Sequence, residues 1–402
     1  MAERVLVIGV GPDGTLARPL PHDVALVVAG RRHLERHAPA GMATLEVAGD
    51  LDGVLDRITG TEGRVCVLAS GDPGWFGILR RLRTRLGEDG LEVHPAVSSV
   101  AAAFAAVGEP WDDAAVVSAH GREATAALAL ALARPRVAVL TSPEVTPALL
   151  AQGLLAAGAG PRRVVVVERL GHEDGRVRET DLVGAVHLEA REPNVLLLLP
   201  PAAGDGPAPT VVAHQHTARP WARPADDYRH RDGQITKPVV RAVALAHLGA
   251  GPGRLVWDLG CGSGSVAVEA AGLGAGVIAV DRDPEQVART RANAADHAVT
   301  LGTVTADASD VFAELPTPHA VYVGGGGRDL PALLDVVATR CRHRLAVPLA
   351  TVERVVPTVE RLRSAGWHAT AQLLSVHDLE PLGDGHRLAP HNPVALVLAE
   401  RP

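Results

Sequence analysis

The sequence is short of cysteine, of basic residues relative to acidic ones, and of long apolar runs, and each shortage narrows what the chain can be. Its three cysteines, Cys66, Cys261 and Cys341, are far apart and odd in number. Neither a disulfide framework nor a zinc-type spacing is present, and buried thiols in a reducing compartment are expected. Formal net charge is −7, which argues against a nucleic-acid binder, since that class needs a basic face. The run Val195–Leu199 is far too short to cross a bilayer, which takes roughly 20 apolar residues. The opening Met-Ala-Glu-Arg leads straight into Val5-Leu6-Val7-Ile8, without the longer apolar core and cleavage site of a secretion signal. A cytoplasmic protein with no membrane or nucleic-acid partner is expected. No cluster of metal-ligand spacing and no short-period repeat is visible.

What the chain does have is length and alternation. At 402 residues it exceeds one typical domain, and about 100–200 residues per domain suggests two or three. Hydrophobic content of 47% with 21% charged residues is the balance of a globular protein. Strand-like runs at Arg4–Val10, Val24–Ala29, Val65–Ala69, Val137–Thr141, Val164–Glu168 and Val195–Leu199 alternate with helical stretches such as Gly77–Leu86 and Ser99–Val107. This is an α/β pattern. From Pro200 to Pro224 prolines punctuate a segment with no helical period, which reads as a linker, with Thr210–Ala213 a candidate edge strand. A second α/β series follows: helices at Thr236–Leu248, Ser265–Ala271 and Pro284–Ala298, and strands at Arg254–Leu259, Gly276–Asp281, Thr300–Thr305, Ala320–Val323 and His343–Pro348, then a last pair near Ala369–Asp378 and Val394–Ala399. Strand and helix alternate there at the spacing of a doubly wound sheet. The expected organisation is a domain over 1–202, a Pro-rich linker over 203–226 and a second domain over 227–402.

The strongest chemical signal is Val256-Trp257-Asp258-Leu259-Gly260-Cys261-Gly262-Ser263-Gly264. A strand ends at Asp258, a glycine-rich turn follows, and a helix begins near Ser265. Such a turn admits unusual backbone angles and lets a ligand approach the main chain, at the strand end where open α/β sheets bind ligands. The next strand ends in Asp281, placed to accept hydrogen bonds from ribose hydroxyls. Asp307 and Ala308 follow the strand after that, where an acid can meet an adenine amino group. Gly324 and Gly325 form a bare lip after Val323. Taken alone, Gly260–Gly264 is equally a tight turn or another nucleotide loop, although its third glycine is misplaced for the dinucleotide spacing Gly-x-Gly-x-x-Gly.

Taken in order, these residues resemble class I methyltransferases, which use S-adenosylmethionine. Gly233-Gln234-Ile235-Thr236-Lys237, with Arg241, Val323–Leu330 and His391-Asn392-Pro393-Val394-Ala395, narrows the resemblance to the decarboxylating methyltransferases of corrin biosynthesis. That resemblance implies Thr236 near the methionine end of the cofactor. It implies Lys237 and Arg241 facing the anionic side chains of a precorrin, with Gly324, Gly325 and Asn392 beside the macrocycle. Lys237, His391 and Glu380 are the candidates for proton transfer.

In the first half, Gly9-Val10-Gly11-Pro12-Asp13-Gly14 spells the dinucleotide fingerprint after a strand, but Pro12, Pro19 and Pro21 bar the long helix that fingerprint needs. Ala69-Ser70-Gly71-Asp72-Pro73-Gly74, then His94–Ser99, then Trp111–Ala114 and Val117–Arg122, resemble in that order the tetrapyrrole (corrin/porphyrin) methylases of the precorrin-6Y branch. The resemblance implies a two-lobed fold holding a folded S-adenosylmethionine, with Gly9, Gly11, Ser70, Gly71, Asp72 and Ser99 at the cofactor and His120 and Arg122 toward the substrate. The family's first loop usually reads Gly-x-Gly-Pro-Gly, and Asp13 replaces its last glycine here. The connection to the second strand is also shorter than usual.

Over nearly the whole chain the resemblance is to the fused precorrin-6Y C5,15-methyltransferases (decarboxylating) of cobalamin biosynthesis. It implies one S-adenosylmethionine per domain, no metal, a precorrin-type tetrapyrrole as substrate and a homo-oligomer. Position 15 methylation and loss of the ring-C acetate carboxyl would fall to the second domain, and position 5 methylation to the first. The other readings are an NAD-dependent reductase using Gly9–Gly14 and a non-catalytic tetrapyrrole-binding protein.

Overall fold

A computed structural model describes residues 5–87, 89–201, 221–231, 233–325 and 327–402. Most of the expected linker and the whole of Thr210–Ala213 lie outside the described residues.

The centre of the first sheet, Val5–Val10, Val24–Ala29 and Arg64–Ser70, is made of continuous apolar runs, as strands covered on both faces require. Strands β1 (Val5–Val10), β2 (Val24–Ala29), β3 (Thr44–Glu46), β4 (Arg64–Ser70) and β5 (Leu91–His94) lie in the order β3-β2-β4-β1-β5, with β1 parallel to β4 and β5. Helices α1 (Arg31–His37), α2 (Leu51–Thr59), α3 (Leu79–Leu86) and α4 (Ser99–Val107) connect them. The Asp50 side chain caps α2 and that of Ser98 caps α4. No helix follows β1. Gly11 N–H donates to Thr15 O at 2.8 Å and Ala17 N–H to Gly9 O at 2.9 Å, so the chain folds back on itself. The helix N-terminus on which a dinucleotide pyrophosphate would rest is missing from this place.

A second five-stranded sheet has the order β6-β7-β10-β8-β9. It comprises β6 (Ala115–Ser118), β7 (Val137–Leu140), β8 (Arg163–Glu168), β9 (Arg176–Asp181) and β10 (Asn194–Leu199), with helices α5 (Ala124–Ala133), α6 (Pro147–Ala156) and α7 (Leu182–Ala185).

The third sheet has seven strands in the order β13-β12-β11-β14-β15-β19-β16. Its elements in chain order are α8 (Pro238–Leu248), β11 (Leu255–Leu259), α9 (Ser265–Gly272), β12 (Gly276–Asp281), α10 (Pro284–Asp296), β13 (Gly302–Thr305), α11 (Ala308–Val311), β14 (Ala320–Val323), α12 (Leu330–Arg340), β15 (Arg344–Leu349), α13 (Val355–Ser364), β16 (His368–Leu374) and β19 (Val394–Glu400). Six strands run in one direction, and β19 runs against them between β15 and β16. The reversal of strand order beside β11 makes the topological switch point at which such sheets bind ligands.

The expected strand Ala369–Asp378 is corrected. Strand β16 stops at Leu374, and β17 (His377–Leu382) pairs with β18 (Gly385–Pro390) as a separate hairpin. The turn Gly383–Asp384 was the local signal for it, with Gly383 at φ +58°.

By packing, the described residues fall into one unit drawn from 1–111, 165–178 and 190–197, and a second drawn from 112–164, 179–189 and 198–402. All three cysteines are buried as thiols. Among the described residues no helix is long and apolar enough to cross a membrane.

Candidate active site

A cavity of about 1110 Å³ opens at the carboxyl ends of β11, β12, β13 and β14. Its floor is the turn Gly260–Gly264. Gly260, Gly262 and Gly264 have φ of +71°, +56° and +71°, backbone that L side chains rarely adopt. Gly260 also needs its missing Cβ for room, since one there would lie 2.7 Å from Gly325 Cα. Helix α10 braces the turn from behind. Thr290 Oγ1 donates to Gly262 O at 3.1 Å, and buried Asn293 donates to Ser263 O at 2.7 Å.

Asp281, at the end of β12, accepts from Gly262 N–H at 2.9 Å and Asp283 N–H at 3.0 Å. Two backbone donors fix the carboxylate while leaving lone pairs for a diol. Asp307 and Ala308 line the same cavity beyond β13, and Gly324 and Gly325 line it beyond β14. The structure thus brings Thr236, Gly260, Cys261, Gly262, Ser263, Asp281, Asp307, Ala308, Gly324 and Gly325 to one cavity. Gly264 sits just behind it, where a Cβ would strike Thr290 at 2.5 Å.

Asp258 is the residue the sequence undersold. It lines the cavity and is fully buried. One oxygen accepts from Ala267 N–H at 3.0 Å, and the other has no partner. Burial, with a further push from the Asp281 charge, raises its carboxyl to about 7. A buried, unpartnered carboxylate oxygen on a residue that lines a cavity fits a cationic ligand, and S-adenosylmethionine carries both a sulfonium and an ammonium group. Tyr322 and Gln286 were also missed. Tyr322 Oη lies 3.1 Å from Thr236 Oγ1, and burial holds its phenol well above the ordinary value. Arg231 and Arg328 add guanidinium groups to the cavity wall, and neither had a sequence signal.

Lys237 is the sole lysine of the sequence. It lines the cavity, and its Nζ donates to Asn392 O at 2.5 Å. Asn392 is therefore tied to the site through its carbonyl.

Arg241, expected to face the substrate, is placed elsewhere. It is fully buried, with Nε 2.8 Å from Glu269 Oε1, Nη1 donating to Thr236 O at 2.6 Å, and the guanidinium 5.0 Å from the Tyr228 ring centroid. Four residues into α8, its side chain turns back into the protein, because Glu269 supplies a buried counter-charge on α9. It holds the Thr236 carbonyl and does not line this cavity. His391 and Glu380 are likewise off the cavity. His391, just past β18, pairs with Asp378 at 2.6 Å, and Glu380, half-buried in β17, pairs with Arg387 at 2.7 Å.

In the first unit, Gly9, Gly71 and the start of α4 converge. A Cβ on Gly9 would lie 2.4 Å from Gly71 O and from Ala96 N, and one on Gly71 would lie 3.1 Å from Ser98 Cα. Ser99 follows as the exposed first residue of α4. Gly11 belongs to the folded-back loop after β1. Asp72 accepts from Gly74 N–H at 2.8 Å and shapes the loop after β4. The Ser70 hydroxyl is held by Arg32 Nη2 at 2.7 Å and His33 Nε2 at 2.9 Å. Burial, then the Arg32 charge, lowers His33 to about 4, so it is neutral near pH 7. His120 and Arg122 are exposed between β6 and α5, in the second unit.

The seven-stranded fold and its cavity define an S-adenosylmethionine-dependent methyltransferase of class I. Residues 226–401 match the precorrin methyltransferase domain, and residues 27–184 match the tetrapyrrole (corrin/porphyrin) methylases. The precorrin-6Y C(5,15)-methyltransferase (decarboxylating) of a Sinorhizobium species is 35% identical over 345 residues, covering 80% of this chain and 78% of that protein. A probable cobalt-precorrin-6B C(15)-methyltransferase (decarboxylating) of Pyrobaculum calidifontis is 36% identical over 171 residues, 41% of this chain and 88% of that protein. A cobalt-precorrin-7 C(5)-methyltransferase of Salmonella typhimurium is 33% identical over 178 residues, 42% of this chain and 87% of that protein. The chain belongs to the family of precorrin-6Y C5,15-methyltransferases (decarboxylating), enzymes of cobalamin biosynthesis.

Proposed function

We propose that this chain methylates a precorrin-6Y-type macrocycle at C5 and C15 and decarboxylates its ring-C acetate, with one S-adenosylmethionine bound in each of two domains, 1–202 and 227–402, joined by 203–226. The observation that carries the reading is the cavity at β11–β14, where acids at the ends of β11, β12 and β13 and a glycine floor meet Lys237, Arg231 and Arg328. The full-length and half-length relatives support the division of labour, with C15 methylation and decarboxylation in 227–402 and C5 methylation in 1–202.

S-adenosylmethionine supplies an electrophilic methyl group already attached to a good leaving group. The residues have to orient it and admit the acceptor carbon in line, and proximity of this kind contributes several kcal/mol. Asp281 would hold the ribose and Asp307 the adenine. The unpartnered oxygen of Asp258 would offset positive charge on the cofactor, and Gly260 and Gly325 would leave room for it along the main chain. Lys237, Arg231 and Arg328 take the peripheral carboxylates of the macrocycle. Methylation of a meso carbon displaces its proton. Loss of carbon dioxide leaves an electron pair in the conjugated ring system, and a proton then completes the methyl group. Lys237 is the remaining candidate at the cavity for moving these protons.

Supporting a homo-oligomer, the hairpin β17–β18 exposes Leu379, Leu382 and Leu388 at 66%, 61% and 66%. The proposed setting is the cytoplasm, where buried thiols persist unoxidised. Incubation with precorrin-6Y and S-adenosylmethionine, read by mass spectrometry, should show two added methyls and loss of carbon dioxide. A product lacking the C15 methyl and keeping the carboxyl would overturn the assignment of the second domain. Binding of NADH in preference to S-adenosylhomocysteine would overturn the whole reading.

A further inference from the structure

Within the second unit, α5 lies against the starts of β12 and β13. Its sequence, Ala-Thr-Ala-Ala-Leu-Ala-Leu-Ala-Leu-Ala, carries no charge, and Thr125, Ala127, Leu128, Ala129, Ala131 and Leu132 are buried. A helix apolar all round is covered all round. Helix α6 covers part of it, with a Cβ on Gly153 placed 3.0 Å from Leu128. The strands of the seven-stranded sheet cover another part.

The approach is backbone to backbone, and glycine permits it on both sides. A Cβ on Gly276, the first residue of β12, would lie 2.4 Å from both Cα and O of Ala129. On Gly302, which opens β13, it would lie 2.0 Å from Ala157 O. On Gly158, just past α6, it would lie 2.1 Å from Thr303 O. Thr303 N–H also donates to Gly158 O at 3.4 Å. At the rim Arg342 pairs with Glu123. Three glycines in two sequence regions more than 100 residues apart thus clear one contact.

We infer that this glycine-lined contact, and not the connecting peptide, holds residues 112–164 to the class I sheet, so the two halves of the chain stay together after the connection at 202–220 is cut. The contact sits at the beginnings of β12 and β13. Asp281 lies at the far end of β12, about 17 Å away by strand rise. The contact therefore leaves the cavity mouth open.

The test uses the full chain with a specific protease site introduced between residues 205 and 215. After complete cleavage, size-exclusion chromatography at micromolar concentration should show the two fragments co-eluting. Fragments that separate once cut would overturn the inference. Gly276→Val should abolish co-elution while preserving S-adenosylhomocysteine binding, because the three atoms closest to its Cβ all belong to Ala129. A folded, cleaved Gly276→Val chain that still co-elutes would show that the halves are held elsewhere. If that variant fails to fold, Gly302→Ala is read in the same way, with at least tenfold weaker association expected and unchanged association counting against the contact.

Discussion

At the scale of single residues, Asp258 has the sharpest consequence. Its carboxyl rises from the ordinary 3.8 to about 7 because the charged form is buried without a counter-ion. A group whose pKa is raised on folding contributes stability that is complete below the unfolded value and lost as pH climbs through the folded one. Asp258→Asn cannot ionise, so it should melt higher than the parent at about pH 8 and equally at about pH 4, as thermal unfolding across pH would show. On the proposed binding mode, the same variant should bind S-adenosylhomocysteine more weakly, because the cavity loses a carboxylate with an unpartnered oxygen. Asp281→Ala removes a charged hydrogen-bond acceptor worth about 1.5–3 kcal/mol, so calorimetry should show affinity for S-adenosylhomocysteine falling roughly 10- to 100-fold at the second domain. Lys237, as the sole lysine, can be followed directly. Amine-specific labelling should modify it in the free enzyme and be slowed by bound substrate, while Lys237→Ala should raise KM for the macrocycle and leave the melting temperature unchanged.

At the scale of elements, the turn between β11 and α9 works because three successive alternate positions are glycine and α10 closes behind them. Gly260→Ala meets both left-handed strain, about 1–2 kcal/mol, and overlap with Gly325, so cofactor binding should fall together with stability. Arg241 makes the complementary case. Arg241→Met removes the buried counter-charge of Glu269 and leaves it only the Ala222 and Arg223 N–H groups and the Tyr228 hydroxyl, and breaking a buried pair costs about 3–5 kcal/mol. Denaturant unfolding should register that loss, in contrast to the silent Lys237→Ala. Helix α8 therefore presents two adjacent cations for different purposes. Lys237, ahead of the first turn, reaches the cavity, whereas Arg241, one turn later, anchors the loop that carries Thr236.

At the scale of the whole molecule, the thiols and the hairpin give independent checks. Burial pushes Cys66 up to about 12 and Cys341 up to about 11, and raises Cys261 as well. The native protein should therefore ignore thiol reagents at neutral pH and yield three reactive groups only on unfolding, counted with a chromogenic disulfide. Leu379→Asp, on the exposed hairpin, should lower the oligomeric state in sedimentation without altering S-adenosylhomocysteine binding. A parent that sediments as a monomer would remove the hairpin from consideration.

The sequence by itself determined the features whose physics is local. Apolar runs closed by Asp258 and Asp281, and glycines at alternate positions, announce strands, a strained turn and a ligand because strand ends and positive φ depend on neighbouring residues. The same locality made the loop after β1 legible as no dinucleotide site, since prolines bar the helix wherever the rest of the chain goes. Tertiary structure decided the direction in which side chains point and what they meet. Arg241 became a core ion pair because Glu269, 28 residues away, faces it. Glu380 and His391 left the site because a hairpin could form between two strands of one sheet. Gly276 and Gly302 look like ordinary strand openings in the sequence. Their meaning lies in another part of the chain, where the backbone of Ala129 in α5 and of Ala157 just past α6 occupies the space that a side chain would have taken.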